Sequence, residues 1–527
     1  VDAAYVYKAS IAALMLASVR DRAERSLTTN GKDAFTIAAV DLGSNSFHLV
    51  VAREVDGQPL LVDKLRERVA LAEGLKDRRL SGVVQARALA TLERMSERIQ
   101  GIPSGRVRAV GTATFRKLRD RGAFLRKASK ALGVDIEIVS GREEARLVYL
   151  GVAHTLGDDD GRRLVVDIGG ASTECILGHR FVSTREDSLS MGCVTWSQRF
   201  FGDGLMKRGR FEKATLAARV ELEPIAERYG PTKWGHAIGS SGTIRAVGSI
   251  LEGKGWTGGE VTRAGLARLQ EALEEARRPE ELDLDGLRPD RREVIAGGVA
   301  VLTAVFDAFS VEVMRPSDGA LREGLLHDLV GRIRHEDVRE VSVAAFGDRL
   351  CQDLGHGARC RELAEALFDQ VSGPLGLSSE DRLLLGWAAQ LHDVGLVVAH
   401  SAYHRHGAYI VEHADLAGFS ARDRREIAAL ILGQRRRPRL GALEELPPER
   451  ARTVLRLLPL LRIALRMRRD RSERPIPTPA LTAAEGALTL HFAPGWLGEN
   501  PLTRADLARE AKHLASLDLT LEVTESP

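Results

Sequence analysis

Two segments of the sequence place an aspartate and glycines directly after an apolar run. In VDLGSNSFHLVV the aspartate is Asp41, and Gly43, Ser44 and Asn45 follow it. VVDIGGASTECILG repeats the arrangement with Asp167, Gly169, Gly170, Ser172, Thr173 and Glu174. Glycines let backbone N–H groups approach an anion without interference from Cβ, and a nearby aspartate can hold a Mg²⁺ that bridges it to phosphate. The repeat therefore predicts two phosphate loops with metal-binding carboxylates, although a hairpin turn would explain either loop alone.

A third glycine-rich segment, AIGSSGTIRAV, lies between a short apolar run and a stretch with helical spacing. Its phosphate-binding candidates are Gly239, Ser240, Ser241, Gly242 and Thr243. A helix that begins here would add the partial positive charge of its N-terminus to the N–H groups of the turn. Three such loops favour a phosphate site over three unrelated turns.

These loops need a scaffold, and the sequence between residues 35 and 335 supplies one. Apolar, strand-like runs alternate with segments of helical spacing, which is typical of an α/β fold. The strand, loop and strand pattern around Asp41 returns around Asp167, which indicates a duplicated α/β unit. We therefore expect a leader at residues 1–34, a first lobe at 35–156 and a second lobe at 157–335.

The pattern changes after residue 335, where strand-like runs disappear and helical spacing continues. We expect an all-α domain at 336–474. The proline-rich segment PIPTPA then reads as a linker, and the tail combines two strand-like runs with one helical segment. The sequence thus predicts a small α+β module at 475–527.

The composition is that of a multidomain globular protein. The 527 residues are 44% hydrophobic and 28% charged, with a net charge of +3, so a polyanionic ligand would be bound by a local patch. The four cysteines form no CxxC pair, which favours reduced structural cysteines over a disulfide framework or a zinc ribbon. The apolar stretch at 11–19 is too short to span a membrane.

Several motifs occur in the order that is found in one enzyme family. VDLGSNSFHLVVAR, ERVALAEGL, GTATFR, SGREEARLVYLGV, VVDIGGASTE, GSSGTIRAV and SDGALREGLL resemble the successive motifs of the exopolyphosphatase and guanosine pentaphosphate phosphatase (Ppx/GppA) family, long four-domain type. The resemblance implies two duplicated actin-like (ribonuclease-H-like) lobes that enclose a phosphate cleft. It also implies hydrolysis of phosphoric anhydrides with Mg²⁺, with K⁺ as an activator, by a homodimer.

The resemblance assigns roles to individual positions. Glu144 in SGREEARL matches the proposed catalytic base, which would orient water for attack on the terminal phosphorus. A solvated glutamate at a helix start is the alternative. Arg116 in GTATFR and Arg68 in ERVAL resemble phosphate-facing arginines, although an isolated arginine is more often a surface residue. The implied metal ligands are Asp41, Asp167 and Glu174.

The helical half carries a second set of candidate ligands. His392 and Asp393 in AAQLHDVG resemble the pair of the HD phosphohydrolase fold, and His356 lies upstream at a position that suits a first ligand. The last aspartate of that set has no counterpart, because Asp470 falls off the expected turn. We therefore expect an HD-like domain with an incomplete metal site.

Two arginine-rich segments suggest a track for a long phosphate chain. The candidates are Arg435, Arg436, Arg437, Arg466 and Arg469. Repeated weak phosphate contacts would give an affinity that falls steeply with salt. A solvated charged helix is the alternative. No aromatic residues interleave these arginines, which argues against a nucleic-acid partner.

The sequence as a whole favours an exopolyphosphatase that releases one terminal orthophosphate at a time from inorganic polyphosphate. The nearest alternative is a guanosine pentaphosphate 5′-phosphatase that forms guanosine tetraphosphate. An ATP-dependent kinase of the same superfamily and a non-catalytic sensor of polyphosphate or guanosine pentaphosphate are further alternatives. We expect a cytoplasmic location, with peripheral membrane binding as a variant of it.

Overall fold

The computed structural model describes residues 35–55, 57–119, 121–156, 161–334, 337–351, 353–437 and 440–525. The chain divides between Val338 and Arg339 into two compact units. The leader predicted at 1–34 lies outside the described residues.

The first sheet lies in the first predicted lobe and has five strands. The elements in chain order are β1 (Phe35–Leu42), β2 (Ser46–Val55), β3 (Gln58–Arg68), β4 (Leu75–Lys76), β5 (Arg79–Leu80), α1 (Gly82–Ile99), β6 (Val107–Gly111), α2 (Ala113–Lys117), α3 (Arg121–Leu132), β7 (Ile136–Ile138) and α4 (Gly141–Thr155). The strand order is β3-β2-β1-β6-β7. β3, β2 and β1 are antiparallel, whereas β1, β6 and β7 are parallel. β4 and β5 form a separate ribbon.

The second sheet repeats this arrangement with one additional strand. The elements are β8 (Arg162–Ile168), β9 (Thr173–His179), β10 (Val182–Leu189), α5 (Cys193–Phe201), α6 (Arg208–Ala226), β11 (His236–Ser240), α7 (Gly242–Gly253), β12 (Val261–Thr262), α8 (Arg263–Ala276), α9 (Ile295–Phe309), β13 (Val313–Pro316) and α10 (Leu321–Ile333). The order is β10-β9-β8-β11-β13-β12. β10, β9 and β8 are antiparallel and β8, β11 and β13 are parallel, so β8 corresponds to β1. The two sheets thus share the duplicated arrangement that the sequence predicts.

The central strand β1 is apolar from Ile37 to Val40, where both of its faces are buried. Ala38 and Val40 pack in the core that includes α1, whereas Ile37 and Ala39 pack in the core that includes α4 and α10. Alternate residues of a strand point to opposite faces, so an uninterrupted apolar run suits a strand that is covered on both sides. A polar side chain is tolerated where the strand ends, and Asp41 lies there.

Two glycines let helices α4 and α10 approach closely. A Cβ on Gly151 would overlap the carbonyl oxygen of Ala320, and a Cβ on Gly324 would overlap that of Leu147. Neither position has room for a side chain, because the neighbouring atoms belong to backbone that cannot turn away. This contact fixes α4, which carries Glu144 in its first turn, against an element of the second lobe.

The second unit is helical apart from one small sheet. Its elements are α11 (Val338–Leu350), α12 (Leu354–Leu375), α13 (Ser379–Gln390), α14 (Tyr403–His413), α15 (Ala421–Gly433), α16 (Pro448–Met467), β14 (Ala480–Ala484), β15 (Ala487–Phe492), α17 (Trp496–Glu499), α18 (Pro501–Leu514) and β16 (Thr520–Glu525). The strand order is β14-β15-β16. In the part of the chain that the structure describes, none of the helices combines the length and the apolarity needed to cross a membrane.

The tail that the sequence predicts as a separate module packs into the core of the helices. Leu490 of β15, Leu507 of α18 and Leu521 of β16 belong to one buried cluster with apolar side chains of α12, α13 and α16. The structure contains the two predicted strands and the predicted helix, and it adds β14, which begins where the expected linker ends. A sheet of three short strands has too little apolar surface for a core of its own, so it shares that of the helices.

A buried ion pair joins this tail to the helices. Arg462 of α16 donates to the carboxylate of Glu510 on α18, and both side chains are fully buried. Arg466 donates to the other carboxylate oxygen of Glu510 at 3.1 Å. A buried pair is costly to break, because removal of one partner leaves the other charge without compensation.

We expect Glu510→Ala to lower the free energy of unfolding of the second unit by about 3–5 kcal/mol, which urea denaturation of the full chain would measure. Glu473→Ala is the matched control, because Glu473 is exposed and lies in a loop. The control should change the unfolding free energy by less than about 0.5 kcal/mol. Equal effects of the two substitutions would contradict the role given to the buried pair.

Candidate active site

The first two loops and helix α4 bring four carboxylates into one group. Asp41 lies near the end of β1, and Asp167 occupies the corresponding position near the end of β8. In the sheet register Asp167 stands opposite Glu174 of β9 on one side and Ser240 of β11 on the other. Glu144 lies in the first turn of α4 and is buried. We refer to Asp41, Glu144, Asp167 and Glu174 as the carboxylate group.

Burial and mutual repulsion raise the pKa values of three of these carboxyl groups. Burial, followed by the charge of Glu144, raises the pKa of Asp41 to about 8. Burial also raises the pKa of Asp167 to about 6, although a hydrogen bond from Ser240 acts in the opposite direction. The pKa of Glu174 is raised by burial and by the charges of Glu144 and Asp167. Carboxylates that repel one another in this way form a favourable site for a divalent cation with oxygen ligands.

Arg116 places a positive charge beside this group. Its Nη1 donates to Glu144 Oε2 at 2.7 Å and to the carbonyl oxygen of Val139 at 3.1 Å. Glu174 is oriented separately, because Oγ of Ser188 donates to its Oε1 at 2.8 Å. The sequence predicts that Arg116 faces phosphate, and the structure shows that this arginine orients Glu144.

The first loop is held by contacts with its neighbours. Thr114 Oγ1 donates to Ser44 Oγ at 2.8 Å, and the carbonyl oxygen of Asn45 accepts from the N–H groups of Val69 and Ala70 at 3.0 and 2.7 Å. The side-chain oxygen of Asn45 is buried and has no hydrogen-bond partner among the described residues. A buried acceptor of this kind is normally satisfied by a donor, a water or a cation.

Glycines let the first and second loops meet. A Cβ on Gly170 would lie 3.2 Å from Cβ of Ser44 in the first loop. Gly43 is needed within the first loop itself, where a Cβ would lie 2.9 Å from the carbonyl oxygen of Ser46. The carbonyl oxygen of Gly169 accepts from the N–H of Cys193 at 2.9 Å, at the start of α5. The N-terminus of α5 thus holds the second loop in place. Ser172 of the same loop is buried.

Two threonines that the sequence assigns to phosphate binding have another role. Thr173 Oγ1 donates to the carbonyl oxygen of Met191 at 2.6 Å, and Thr243 Oγ1 donates to that of Ile168 at 3.2 Å. Both side chains are buried within the second lobe. The structure therefore corrects the prediction for these hydroxyls, because they already donate to backbone that shapes the loops.

The third loop leads from β11 into α7. Ser240 lies beside Asp167, and its hydrogen bond opposes the rise of the pKa of that carboxyl group. Ser241 has a φ of 104°, in the left-handed region that disfavours a side chain, and its Oγ accepts from the N–H of Ile244 at 3.2 Å. Gly239 has no room for a Cβ because the side chain of Ile244 packs against it. The sequence therefore predicted that this loop lies between a strand and a helix, but it did not indicate the strained backbone of Ser241.

Four arginines surround His48 of β2, and sequence reasoning did not identify them as a group. This arginine cluster consists of Arg66, Arg245, Arg291 and Arg322. Burial, followed by the charges of these arginines, lowers the pKa of His48 to about 3. Arg322 Nη1 lies 2.7 Å from His48 Nδ1, and an arginine only donates, so the imidazole is neutral with its proton on Nε2. The guanidinium of Arg291 packs on Gly242 of the third loop, where a Cβ would overlap it.

The arginine cluster adjoins the carboxylate group. The charge of Arg322 opposes the rise that burial causes in the pKa of Asp41, and Arg245 and Arg322 oppose it at Asp167. Two of these arginines lie in motifs that the sequence analysis singled out, GSSGTIRAV and SDGALREGLL. Arg66 and Arg291 carry no such signal. Negative and positive groups thus lie side by side at the three loops.

Arg68 does not join either group. It donates to Glu73 at 2.6 Å and to Glu293 at 3.1 Å, and the guanidinium is partly exposed. The guanidinium of Arg68, which the sequence predicts to face phosphate, is therefore paired with two glutamates in the structure.

The predicted arginine track is partly neutralised within the second unit. Arg466 donates to Glu510, as described above, and Arg469 donates to Asp506 at 2.7 Å. Arg435 lies over the ring of Tyr403 at 4.9 Å from its centroid. Arg436, Arg437 and Arg469 are the exposed members among the five residues of the track. The two later members of the track thus have acidic partners on α18, and the track as a whole stays a prediction.

Glu143, the sequence neighbour of Glu144, points into a different environment. Arg146 Nε donates to Glu143 Oε2 at 2.8 Å, and Arg146 and Arg108 also contact the buried Asp328 of α10. Glu143 therefore belongs to a buried ion network between α4, β6 and α10. The two adjacent glutamates have distinct surroundings, which allows their roles to be separated experimentally.

Comparison with known proteins identifies the family. Residues 50–333 match the Ppx/GppA phosphatase family, and residues 338–511 match Ppx/GppA phosphatase, domain III. The chain is 38% identical over 488 residues to a guanosine-5′-triphosphate,3′-diphosphate pyrophosphatase of Vibrio cholerae, covering 92% of this chain and 97% of the relative. It is 37% identical over 490 residues to a protein of the same name from Photobacterium profundum, covering 93% and 98%.

A solved structure gives the same answer for the fold. The exopolyphosphatase from Cytophaga hutchinsonii matches with a TM-score of 0.52 at 22% identity, covering 56% of this chain and 98% of that protein. At this identity the likeness concerns the fold alone. Together with the family models and the full-length relatives, it confirms the family that the motifs predict. The chain belongs to the Ppx/GppA phosphatase family and is a hydrolase of phosphoric anhydrides.

Proposed function

We propose that this phosphatase removes the terminal 5′-phosphate of guanosine pentaphosphate and releases guanosine tetraphosphate and orthophosphate. The observation that carries the proposal is the carboxylate group beside the arginine cluster. This pairing suits a cation-assisted attack on one phosphate while the remaining phosphates are held by arginines. The nucleotide is favoured because the relatives that match over nearly the whole chain are named for it. Polyphosphate, the substrate that the sequence favoured, becomes the second candidate.

We propose Mg²⁺ as the cofactor, held by Asp41, Asp167 and Glu174. The raised pKa values of these carboxyl groups and the unpartnered buried oxygen of Asn45 fit a hard cation with oxygen ligands. When bound, Mg²⁺ supplies charge neutralisation at the transferred phosphate and at its leaving oxygen. K⁺ is proposed as a second, activating ion.

Glu144 is proposed as the group that orients the attacking water and accepts its proton. Arg116 holds one carboxylate oxygen of Glu144, so the other oxygen is left for the water. The helix-to-helix contact at Gly151 and Gly324 fixes the backbone from which Glu144 projects. A base that is held in this way loses little freedom when the reaction begins, which favours attack in line with the leaving group.

The arginine cluster is proposed to bind the phosphates that are not transferred. Guanosine pentaphosphate carries two separate phosphate groups on one ribose, so it presents more negative charge near its reacting end than a simple triphosphate does. Guanidinium groups bind phosphate through paired, charge-assisted hydrogen bonds. The neutral His48 adds an Nε2–H donor without adding to the positive charge.

Polyphosphate remains the second candidate because its terminal phosphate presents the same anhydride bond. The exposed Arg436 and Arg437 support a weak contact with a longer chain.

For the second unit we propose an HD-like fold, which the convergence of His356, His392 and Asp393 supports, with a C-terminal α+β segment that shares its core. We also propose a homodimer, which molar mass from light scattering would check.

We expect Arg291→Gln to raise the KM for guanosine pentaphosphate about 10- to 100-fold, because a charge-assisted hydrogen bond contributes about 1.5–3 kcal/mol. Steady-state release of orthophosphate at several salt concentrations would measure it, and the salt dependence of KM should become weaker. Arg68→Gln is the matched control, because Glu73 and Glu293 already occupy this guanidinium. An unchanged KM in Arg291→Gln would remove the arginine cluster from substrate binding.

A further inference from the structure

A second set of metal-binding side chains lies in the second unit. His356 and Cys360 are one turn apart on α12, and His392 follows the end of α13. All three side chains are buried, and one potential ligand atom from each lies within 4.8 Å of the other two. The phosphatase mechanism proposed above uses none of them.

The spacing of these atoms suits tetrahedral coordination. Cys360 Sγ lies 3.6 Å from His356 Nε2. In a tetrahedral zinc site with bonds of about 2.3 Å to sulfur and 2.0 Å to nitrogen, the two ligand atoms are about 3.5 Å apart. The rings of His356 and His392 meet edge-on, with centroids 5.1 Å apart. A hydrogen bond between Cys360 and His356 would explain the distance of 3.6 Å between them. It would not explain why His392 also lies close to both side chains.

The hydrogen bond of His392 fixes which of its nitrogens can bind a metal. Nδ1 lies 2.7 Å from the carbonyl oxygen of Ala389, and a carbonyl oxygen can only accept. The proton is therefore on Nδ1, and the lone pair of Nε2 is available. Metal-binding histidines commonly have this arrangement, because a backbone acceptor holds the ring and increases its basicity.

Asp393 provides an independent indication of a ligand. Its carboxylate is almost fully buried, and Oδ1 has no hydrogen-bond partner in the described residues, whereas Oδ2 accepts from Arg471 at 3.0 Å. A buried carboxylate oxygen without a partner is costly. The charge of this carboxylate acts on His356 and Cys360, so a cation bound by these side chains would offset it.

We propose that the second unit contains a zinc site formed by His356, Cys360 and His392, with the buried carboxylate of Asp393 beside it. Thiolate and imidazole ligands favour Zn²⁺ over Mg²⁺, which requires oxygen ligands and binds poorly to sulfur. The sequence comparison with the HD fold predicts an incomplete site because it seeks a second aspartate. Cys360, which the sequence indicated to be a structural cysteine, supplies the missing negative ligand.

Zinc binding is coupled to one proton. The Cys360 thiol loses its proton to solvent as the zinc–sulfur bond forms, and no electrons are exchanged. Asp393 keeps its ion pair with Arg471, so Cys360 supplies the one negative charge among the three ligands. The site connects α12 with the segment that follows α13, so we assign it a structural role in the core of this unit.

Cobalt is the probe that tests the site, because tetrahedral Co²⁺ bound to thiolate has a sulfur-to-cobalt charge-transfer band and intense visible bands. Full-length protein freed of metal would be titrated with Co²⁺ in excess Mg²⁺, which occupies the carboxylate group. We expect one Co²⁺ per chain with the thiolate band, displacement by Zn²⁺, and loss of the band in Cys360→Ser. Cys193→Ser is the matched control and should retain the band, because Cys193 is buried in the core of the second lobe and does not belong to the second unit.

Two outcomes would overturn the proposal. One is a wild-type protein without a thiolate band and without zinc after purification in the absence of chelators. The other is a band that is lost in Cys351→Ser but retained in Cys360→Ser. If Cys360→Ser does not fold, retention of the band in Cys175→Ser, Cys193→Ser and Cys351→Ser assigns the sulfur to Cys360 by elimination. Chelation should also lower the thermal midpoint of the wild type, and re-addition of Zn²⁺ should restore it.

Discussion

Glu144→Gln is expected to lower kcat for orthophosphate release about 10²- to 10⁴-fold, while KM changes by a few-fold at most. The amide keeps the size of the side chain but cannot accept a proton from water, and a positioned general base contributes a rate factor of this size. The thermal midpoint without Mg²⁺ should change little, because the weakened ion pair with Arg116 is offset by relief of the repulsion among the four carboxylates. Steady-state kinetics and thermal denaturation of the same preparations would measure both effects.

The adjacent Glu143→Gln is the control for this prediction. Glu143 is part of the buried network with Arg146, Arg108 and Asp328, so the substitution should destabilise the protein and leave kcat per folded molecule nearly unchanged. Glu144→Gln should therefore lower kcat with little effect on stability, whereas Glu143→Gln should lower stability with little effect on kcat. Loss of kcat in Glu143→Gln, with full activity in Glu144→Gln, would exchange the roles that we assign.

Asp167→Asn has the second largest expected effect and tests the proposed metal ligands. A neutral amide in place of the carboxylate should raise the Mg²⁺ concentration for half-maximal rate by at least about 10-fold, and saturating Mg²⁺ should restore the rate only in part. A Mg²⁺ titration of orthophosphate release at saturating substrate would measure the shift. Asp318→Asn is the control, since this carboxylate is 98% exposed and lies near Arg245 of the third loop. An identical Mg²⁺ requirement in Asp167→Asn and wild type would remove Asp167 from the metal site.

The loops could be predicted from the sequence because each is a local pattern that occurs twice. An apolar strand with both faces buried must place its carboxylate where it ends, so Asp41 and Asp167 are found at corresponding ends of β1 and β8. The same strand geometry excludes Thr173 from the site. Glu174 lies beside Asp167, and successive side chains of a strand point to opposite faces, so Thr173 faces the interior. The alternation of side chains along β9 is thus the sequence signal that separates Glu174 from Thr173.

The arginine cluster could not be predicted, because its members come from four distant parts of the chain. Arg66 is on β3, Arg245 on α7, Arg291 before α9 and Arg322 on α10, and only the folded lobes bring them to His48. The neutralisation of Arg466 and Arg469 has the same origin. Their acidic partners are on α18, about 40 residues further along the chain, where the sequence shows only an ordinary amphipathic helix.

The most direct test of the proposed function compares two substrates with the wild-type protein. Orthophosphate release from guanosine pentaphosphate and from long-chain polyphosphate would be followed at equal concentrations of terminal phosphate, with Mg²⁺ and K⁺. Anion-exchange chromatography would identify the nucleotide product. We predict a higher kcat/KM for guanosine pentaphosphate, with guanosine tetraphosphate as the product. A higher kcat/KM for polyphosphate, or no release from the nucleotide, would contradict the proposed function.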